Sequence, residues 1–344
     1  MKYTTLPGTE IKVSKICLGS MNWGIQNTEE EGFAQMDYAI EQGVNFIDTA
    51  ELYPVPFDIT KNGDTEKIMG AWMKKNNNRN DLVIASKILG PRAFVKGVRE
   101  KVDFSIASLE DALHKSLTGL QTDYIDLYQL HWPERNTNFF GPLGYIHQED
   151  EEWSDNFQEV LHNLESFQKQ GKIREIGVSN ESAYGVMRYA EEARKGASKI
   201  RTVQNPYSLL NRKDEIGLTE ALHREDIGYL AYSPLGFGQL SGKYLDDTPA
   251  DGRVTKYPQF SRYHNEESFK ATRAYNEVAK KHNISLTQMS LAFINEQSFM
   301  TSNIIGASSV EQLKENIESI NIELSPEVIK DINEVHVQFP NPAP

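Results

Sequence analysis

The chain has 344 residues, 39% of them hydrophobic and 25% charged, with a formal net charge of −13. This balance is ordinary for a globular protein, and the negative charge argues against nucleic acid or a membrane surface as a partner. A single cysteine, Cys17, excludes an intrachain disulfide framework, and because neither a signal-peptide core nor a membrane span is visible, we expect a cytoplasmic protein.

Short apolar runs alternate along the chain with longer segments of helical period. After a β-hairpin predicted around Pro7-Gly8, eight runs are typical of buried parallel strands: 16–19, 44–48, 82–87, 124–131, 173–180, 202–206, 228–234 and 303–308. Helices are predicted between and after them over 28–42, 64–75, 105–120, 155–170, 182–195, 214–223, 266–282 and 310–320. Two further helices, 285–297 and 325–336, fall outside the repeat.

Several of these helices carry recognisable boundary signals. Thr28 is followed three residues later by Glu31, which is the form of a capping box. Gly43 and Gly171 follow predicted helices at the position where a left-handed residue commonly ends a helix. These signals support the proposed order of elements.

Eight strand–helix units predict a (β/α)₈ TIM barrel, with an N-terminal β-hairpin and extra C-terminal helices, formed by residues 1–344 as a single domain. A doubly wound sheet is the structural alternative. Such a sheet carries a glycine-rich dinucleotide turn after its first strand, and GSMNWG at 19–24 does not have that form. GFGQLS at 236–241 follows the seventh run and is weak evidence by itself.

The segments after the third, fourth and seventh strands are long: 88–104, 132–153 and 235–265. In a barrel all three emerge at the C-terminal face, where active sites form. The segment 132–153 mixes aromatic residues with glycines, which is typical of a substrate wall, although a solvated surface loop remains the alternative.

Four polar residues follow three neighbouring predicted strands. Asp48 and Tyr53 come after the second strand, Lys87 ends the third, and His131 ends the fourth. Each has an ordinary structural explanation by itself: a turn cap, a half-buried ring, a lysine at a strand end or a core histidine. Because adjacent parallel strands end at one edge, the barrel would direct all four groups to the same mouth.

Such a set is suited to proton donation to a carbonyl oxygen. A free tyrosine has a pKa of about 10, and the ammonium of Lys87 beside Tyr53 is expected to lower that pKa. Asp48 would keep Lys87 charged. His131 would hydrogen-bond the substrate oxygen or share a proton with Tyr53. These groups transfer only protons, so a hydride must come from another source.

Eight stretches match, in order, the motifs of one known family. They are LGSMNWG at 18–24, GVNFIDTAELY at 43–53, LVIASK at 82–87, LQTDYIDLYQLHWP at 120–133, GKIREIGVSN at 171–180, VQNPYSLLNR at 203–212, LAYSPLGFGQLSGKY at 230–244 and IIGASSVEQLKEN at 304–316. With them the chain resembles the aldo-keto reductases over its whole length, and most closely their bacterial Tas-like branch, which is related to the potassium-channel β-subunits. The resemblance implies a catalytic tetrad of Asp48, Tyr53, Lys87 and His131, with Tyr53 as the general acid.

The resemblance also implies NADP(H) bound across the barrel mouth without a Rossmann fold. Ser179, Asn180 and Gln204 resemble the residues that hydrogen-bond the nicotinamide carboxamide, and Tyr232 resembles the aromatic that stacks on the ring. The residues implied along the pyrophosphate are Ser233, Pro234, Leu235, Gly236, Lys243 and Arg253.

The stretch after Gly306 is expected to meet the adenosine end of the cofactor. Ser308 precedes a predicted helix whose first amides favour phosphate, and Gln312, Glu315 and Asn316 share one face of that helix. Many relatives have Arg or Lys just after the matching Gly-Ala, whereas this chain has two serines. NADPH is therefore expected, with NADH as a tolerated alternative.

The sequence thus predicts an NADP(H)-dependent oxidoreductase that reduces aldehydes or ketones, with Trp23, Trp132 and the Phe139-Phe140 pair in the substrate pocket. One alternative is an NADPH-binding sensor of the channel β-subunit type with little turnover. A second is a phosphate-binding aldolase or isomerase barrel that uses Lys87 as a Schiff base. No metal site is expected, because no HExxH or close His/Cys cluster occurs. The oligomeric state and the order of the C-terminal segment are not readable from the sequence.

Overall fold

The computed structural model, which describes residues 1–250 and 252–344, is built around a closed barrel of eight parallel strands. Two strands form the N-terminal hairpin: β1 (Tyr3–Thr5) and β2 (Lys12–Ser14). The barrel strands are β3 (Ile16–Gly19), β4 (Phe46–Asp48), β5 (Val83–Ile88), β6 (Ile125–Leu130), β7 (Ile173–Ser179), β8 (Ile200–Pro206), β9 (Gly228–Tyr232) and β10 (Met300–Ile305). Strands β3 to β10 close the barrel in chain order, and β10 pairs with β3. The predicted (β/α)₈ fold is confirmed, and the doubly wound alternative is wrong.

Helices cover the outside of the barrel. They are α1 (Glu29–Glu41), α2 (Asp64–Asn76), α3 (Ile106–Leu120), α4 (Phe157–Lys169), α5 (Ala183–Arg194), α6 (Leu218–Glu225), α7 (Arg253–Lys256), α8 (Glu266–Lys281), α9 (Leu286–Asn295), α10 (Val310–Glu318) and α11 (Pro326–Gln338). Strands β5, β6 and β10 are buried along their whole length, as expected for a parallel sheet covered by helices on its outer face.

The N-terminal hairpin of β1 and β2 packs against the barrel interior. Leu6, Ile11 and Val13 belong to one buried apolar cluster with residues of the barrel strands, among them Phe46 and Leu127. Phe46 precedes Asp48 by two residues, so the two side chains lie on the same face of β4. The inner face of the barrel is therefore apolar on the hairpin side and polar where the strands end.

The predicted helix signals occur in the structure. The Thr28 hydroxyl accepts a hydrogen bond from the amide of Glu31, whose carboxylate accepts one from the amide of Thr28, so the capping box is complete. Gly43 and Gly171 have φ values of 84° and 73°, the left-handed conformation that glycine adopts most easily.

Several element boundaries differ from the prediction. Strand β4 begins at Phe46, two residues later than predicted, and β10 ends at Ile305, because residues 306–309 form the loop that leads into α10. The helix predicted over 214–223 is divided at Gly217, whose ψ of −28° accompanies a non-helical φ of −164°. A 3₁₀ turn, Lys213–Ile216, precedes this break and α6 follows it.

Among the described residues, no helix has the length and apolar composition needed to span a membrane. Within 1–250 and 252–344, no group of three or more His, Cys, Asp or Glu side chains is placed to hold a metal ion.

Glu66, on the inner face of α2, is a buried acid between the barrel and α3. Its carboxylate accepts a hydrogen bond of 2.5 Å from the Ser86 hydroxyl on β5. Burial is the largest cause of its altered pKa and raises it from 4.5 to about 7, against the opposing effect of this hydroxyl. The folded protein therefore favours protonated Glu66.

A raised carboxyl pKa makes the fold less stable as pH increases. The protonated form supports folding fully below the unfolded pKa, and this contribution is lost as pH rises from about 4.5 to about 7. The loss is on the order of 3 kcal/mol. We expect Glu66→Gln to remove this pH dependence. The free energy of unfolding of the variant, relative to that of the unsubstituted protein, should therefore be higher at pH 8 than at pH 5. The measurement is urea unfolding of both proteins at these two pH values.

The matched control is Glu110→Gln on α3, because Glu110 is exposed to solvent. This control should follow the unsubstituted protein at every pH. Parallel pH profiles for the Glu66→Gln and Glu110→Gln variants would contradict the assignment of the effect to the buried carboxyl.

Candidate active site

The ends of β4 and β5 bring three of the four predicted reactive groups into contact. The Lys87 ammonium donates to Asp48 at 2.6 Å, to the Thr49 carbonyl at 2.7 Å and to the Tyr53 hydroxyl at 3.4 Å. Asp48 is the last residue of β4, and Lys87 is the next-to-last residue of β5. One ammonium therefore bridges the carboxylate and the phenol.

His131 follows β6 and completes the group. Its ring meets the Tyr53 ring edge-on, with 5.9 Å between the ring centroids. Lys87 has no exposed surface and Asp48 only 2%, whereas Tyr53 retains 9% and His131 7%. The two groups that could meet a substrate are thus those that reach the surface of the mouth, and the ion pair lies beneath them.

The charge of Lys87 is maintained by its partners. Burial alone would lower the pKa of Lys87, yet Asp48 and Tyr53 together raise it above the ordinary value of lysine. Gln204 donates to the other oxygen of Asp48 at 2.8 Å, so the carboxylate has partners on both sides. A Schiff base requires a neutral amine, and the raised pKa of buried Lys87 favours the ammonium, which argues against the Schiff-base alternative.

The pKa of Tyr53 lies above the ordinary tyrosine value. Burial is the largest cause and raises it, whereas Lys87 lowers it, as predicted, and Asp48 raises it. The predicted effect of Lys87 is therefore present, but burial outweighs it, which the sequence did not indicate. Tyr53 is a protonated phenol near neutral pH, hydrogen-bonded to a cation that would stabilise its conjugate base.

His131 is neutral near pH 7. Burial, and next the charge of Lys87, lower its pKa well below the ordinary histidine value. Its Nδ1 has no hydrogen-bond partner in the described structure. Of the two predicted roles, hydrogen bonding to a substrate oxygen therefore fits better than sharing a proton as an imidazolium.

The ends of β7, β8 and β9 place the predicted carboxamide-binding residues next to His131. Asn180 has a left-handed backbone, with φ of 54°, and its side-chain amide donates to the His131 carbonyl at 2.8 Å. The Tyr232 hydroxyl donates to the Asn180 side-chain oxygen at 2.6 Å. The Ser179 hydroxyl donates to the Gln204 carbonyl at 2.7 Å. These four residues form one hydrogen-bonded group.

The loop after β9 begins with left-handed residues. Ser233 and Gly236 have φ values of 53° and 54°, and Pro234 lies between them, with Leu235 preceding a 3₁₀ segment, Gly236–Ser241. The Lys243 ammonium lies 5.2 Å from the centroid of the Tyr244 ring. These predicted pyrophosphate residues thus belong to the one loop that follows β9.

Arg253, at the start of α7, approaches the same mouth. Its guanidinium donates to the Asn22 side-chain oxygen at 2.6 Å. Burial lowers the pKa of Arg253 to about 10, and its charge acts on Tyr53, whose pKa it lowers slightly. This cation therefore connects the loop after β9 with the loop after β3, within electrostatic range of the phenol.

The last predicted binding segment begins at Gly306 and continues into α10. Ser309 caps the helix, and the Gln312 side-chain oxygen accepts from both the amide and the hydroxyl of Ser308, at 3.1 and 3.0 Å. Asn316 is buried and donates to the Gly306 carbonyl at 3.1 Å. Glu315 accepts a hydrogen bond of 3.0 Å from Ser285, so its carboxylate is engaged with α9.

Aromatic side chains form a wall beside the tetrad. Trp132 packs in a cluster with Tyr53, and its ring centroid lies 5.8 Å from those of Phe94 and Phe140. Phe139 packs against the same cluster. Trp132 itself is completely buried, whereas Phe140 is exposed. The substrate wall predicted for segment 132–153 therefore stays a prediction that depends on Phe139 and Phe140.

Trp23 is a correction to the predicted pocket. It is completely buried in the main apolar core, where it packs against Gly32 of α1. Its indole nitrogen donates to the Gln35 side-chain oxygen at 3.0 Å. Because both its ring and its polar atom are occupied by core contacts, Trp23 does not line the mouth.

Sequence reasoning missed several residues that hold this site together. Glu51 accepts from the Leu89 amide at 2.6 Å and forms an ion pair with Arg99, which ties the loop carrying Tyr53 to the loop after Lys87. Because Glu51 lies between Asp48 and Tyr53 in the sequence, its position could have indicated that it belongs to the site. Gln129, two residues before His131 and so on the inner face of β6, donates to Asp48 at 3.4 Å.

Arg262 and the C-terminal segment were also missed. The Arg262 guanidinium donates to the Tyr232 hydroxyl at 3.5 Å and to the Pro344 carbonyl at 2.8 Å. The amide of Ala343 donates to the Leu210 carbonyl at 3.1 Å. Residues 343 and 344 thus lie against the loops at the mouth, connected to Tyr232 through Arg262.

Comparison with known proteins agrees with this architecture. The family model described as "Aldo/keto reductase family" matches residues 15–337. The chain is 47% identical over 352 aligned residues to "Protein tas" of Escherichia coli strain K12, with 100% of both chains covered.

More distant relatives carry enzyme names. The chain is 32% identical to "Uncharacterized oxidoreductase YrpG" of Bacillus subtilis strain 168, over 99% of this chain and 97% of the relative. It is 30% identical to "Norsolorinic acid reductase stcV" of Emericella nidulans, over 95% of this chain and 79% of the relative. With a family match over nearly the whole length and a full-length relative of this similarity, the chain belongs to the aldo/keto reductase family.

Proposed function

We propose that this chain is an NADP(H)-dependent reductase of aldehydes and ketones, formed as a single barrel domain of residues 1–344. The observation that carries the proposal is the position of the Lys87 ammonium, 2.6 Å from Asp48 and 3.4 Å from the Tyr53 hydroxyl. Family membership supports the coarser conclusion that the chain is an oxidoreductase acting on small carbonyl compounds.

In this proposal Tyr53 is the general acid. A bound reduced nicotinamide supplies the hydride that adds to the carbonyl carbon. The Tyr53 hydroxyl gives its proton to the carbonyl oxygen, so that the product is an alcohol, and Lys87 stabilises the phenolate left behind. His131, neutral and beside Tyr53, donates a hydrogen bond that orients the carbonyl oxygen.

The residues of the mouth fit a nicotinamide nucleotide. Asn180, Ser179 and Gln204 offer amide and hydroxyl groups on adjacent strand ends, and Tyr232 offers a ring beside them. Left-handed backbone at Ser233 and Gly236, with Lys243 and Arg253 on the same side, suits an extended diphosphate. Gly306 has open space where a side chain would lie, which leaves room for the adenosine end.

The cofactor preference depends on the loop before α10. Ser308 offers a hydroxyl and an amide, and both already donate to Gln312. Hydroxyl and amide donors bind a 2′-phosphate less strongly than a guanidinium does. We therefore expect NADPH to be preferred and NADH to be tolerated.

The test measures the oxidation of NADPH and of NADH in the presence of a panel of aldehydes and ketones. Turnover is monitored as the loss of the absorbance of the reduced nicotinamide. We expect turnover with both, with the higher kcat/KM for NADPH. Cofactor binding should be measured in parallel by quenching of tryptophan fluorescence.

Tight binding of NADPH without turnover on any carbonyl compound would contradict a reductase. That result would favour the alternative of a cofactor-binding sensor of the channel β-subunit type. The ion-paired tetrad argues against that alternative, because a module that only binds a nucleotide does not require a proton donor at the mouth.

A further inference from the structure

Arg92, in the loop after β5, is a cation of the mouth that the proposed reaction does not use. Strand β5 lies between β4 and β6, which lead to Tyr53 and His131. Its position in the barrel is opposite β9, whose loop carries the groups proposed for the cofactor diphosphate. Arg92 therefore belongs to the half of the rim next to the reactive groups.

The side chain of Arg92 is fixed over the aromatic wall. Its guanidinium carbon lies 4.3 Å from the centroid of the Phe139 ring, which is a favourable stacking distance for a cation. Phe139 in turn packs against the cluster that contains Tyr53 and Trp132. The guanidinium is thus one aromatic ring away from the group that includes the proposed general acid.

The charge of Arg92 is not neutralised. Its guanidinium donates a hydrogen bond to the Pro91 carbonyl at 2.7 Å, and a carbonyl carries no net charge. No ion pair between Arg92 and an acidic side chain occurs in the part of the chain described, and burial is the only cause of its lowered pKa. By contrast, Arg99 in the same loop is paired with Glu51 and Asp111.

The surface beside Arg92 is apolar and open. Phe94 and Phe140 both contact Trp132 and are 52% and 42% exposed. Large aromatic side chains are usually more deeply buried, so an accessible aromatic surface of this kind is suited to a ligand. A flat apolar body lying on this aromatic surface would have the guanidinium at its edge.

We propose that Arg92 is a specificity-determining residue that binds a carboxylate on the far end of the carbonyl substrate. The substrate class is then an aromatic or similarly apolar aldehyde or ketone that carries an anionic group distant from the carbonyl. A guanidinium matches a carboxylate with two parallel hydrogen bonds. The inference rests on the proposed reductase function and adds the chemistry of the substrate.

The electrostatics of the chain make this recognition selective. The net charge is −13, and the acidic run Glu149–Glu152 belongs to the same loop as Phe139. General attraction of anions to this rim is therefore unfavourable. Discrimination in favour of a carboxylate would depend on the local contact with Arg92.

The experiment compares 4-carboxybenzaldehyde with methyl 4-formylbenzoate, its neutral ester, as substrates. We expect the unsubstituted protein to reduce the carboxylate with a kcat/KM about tenfold or more above that of the ester. Arg92→Met should abolish this preference, and Arg92→Lys should retain part of it. A merely structural role of Arg92 would instead lower the reduction of both aldehydes together and leave their ratio unchanged.

The matched control is Lys96→Met, which removes a positive charge from the exposed part of the same loop. It should keep the preference for the carboxylate. Equal loss of preference in the Arg92 and Lys96 variants would overturn the proposal, and so would equal reduction of acid and ester by the unsubstituted protein. Reduction of neither aldehyde would contradict the proposed function itself, and the inference with it.

Discussion

Replacing Tyr53 by phenylalanine is expected to lower carbonyl reduction by roughly 10²-fold or more, the scale of a lost general acid. The substitution removes one oxygen and keeps the ring that packs against Leu52 and Trp132. Fluorescence quenching by NADPH should be unchanged, since Tyr53 is not among the residues proposed to hold the cofactor. The measurement is steady-state reduction of a simple aldehyde together with a cofactor titration.

The pH profile adds a second readout for Tyr53. Because burial raises the pKa of this phenol, its acid form should persist through neutral pH, and reduction should decline only as the solution becomes strongly alkaline. Unchanged turnover in Tyr53→Phe would remove the residue from the mechanism. An alkaline decline that survives the substitution would have to arise from another group.

Replacing Lys87 by methionine is expected to leave the protein nearly inactive. Without the ammonium, the phenolate that forms during proton donation would face Asp48 with no cation between them. Removal of one member of a buried pair also destabilises a fold by about 3–5 kcal/mol. The measurement is kcat across a range of pH, with thermal unfolding of the same variant.

A double variant separates stability from catalysis at this position. Combining Lys87→Met with Asp48→Asn removes both charges, so most of the lost stability should return. Activity should not return, because the cation beside Tyr53 is still absent. A normal pH–rate profile in either variant would argue against the role of Lys87 in tuning the phenol.

The composition of the site was predictable because it depends on where strands end. Parallel strands of a barrel present their last residues at one edge, so Asp48, Lys87 and His131 could be grouped once three apolar runs were recognised. The capping box at Thr28 was readable for the same reason, since it depends on residues three positions apart.

Other features depend on distances that no local pattern encodes. The direction of the Tyr53 pKa is a balance between burial and two opposite charges, and burial is known only when the loops are in place. Trp23 precedes α1 in an irregular segment, so the sequence does not give the direction of its ring. The contact between Arg262 and Pro344 joins residues 82 positions apart.

The apolar hairpin side of the barrel has a consequence for turnover. Leu6, Ile11 and Val13 pack into that end together with Phe46 and Leu127, so apolar side chains close the barrel on the side away from the mouth. The proton that Tyr53 gives away must then be replaced through the same entrance that admits the substrate. Reprotonation of the phenolate would therefore follow departure of the alcohol, so that protons and ligands enter by the same opening.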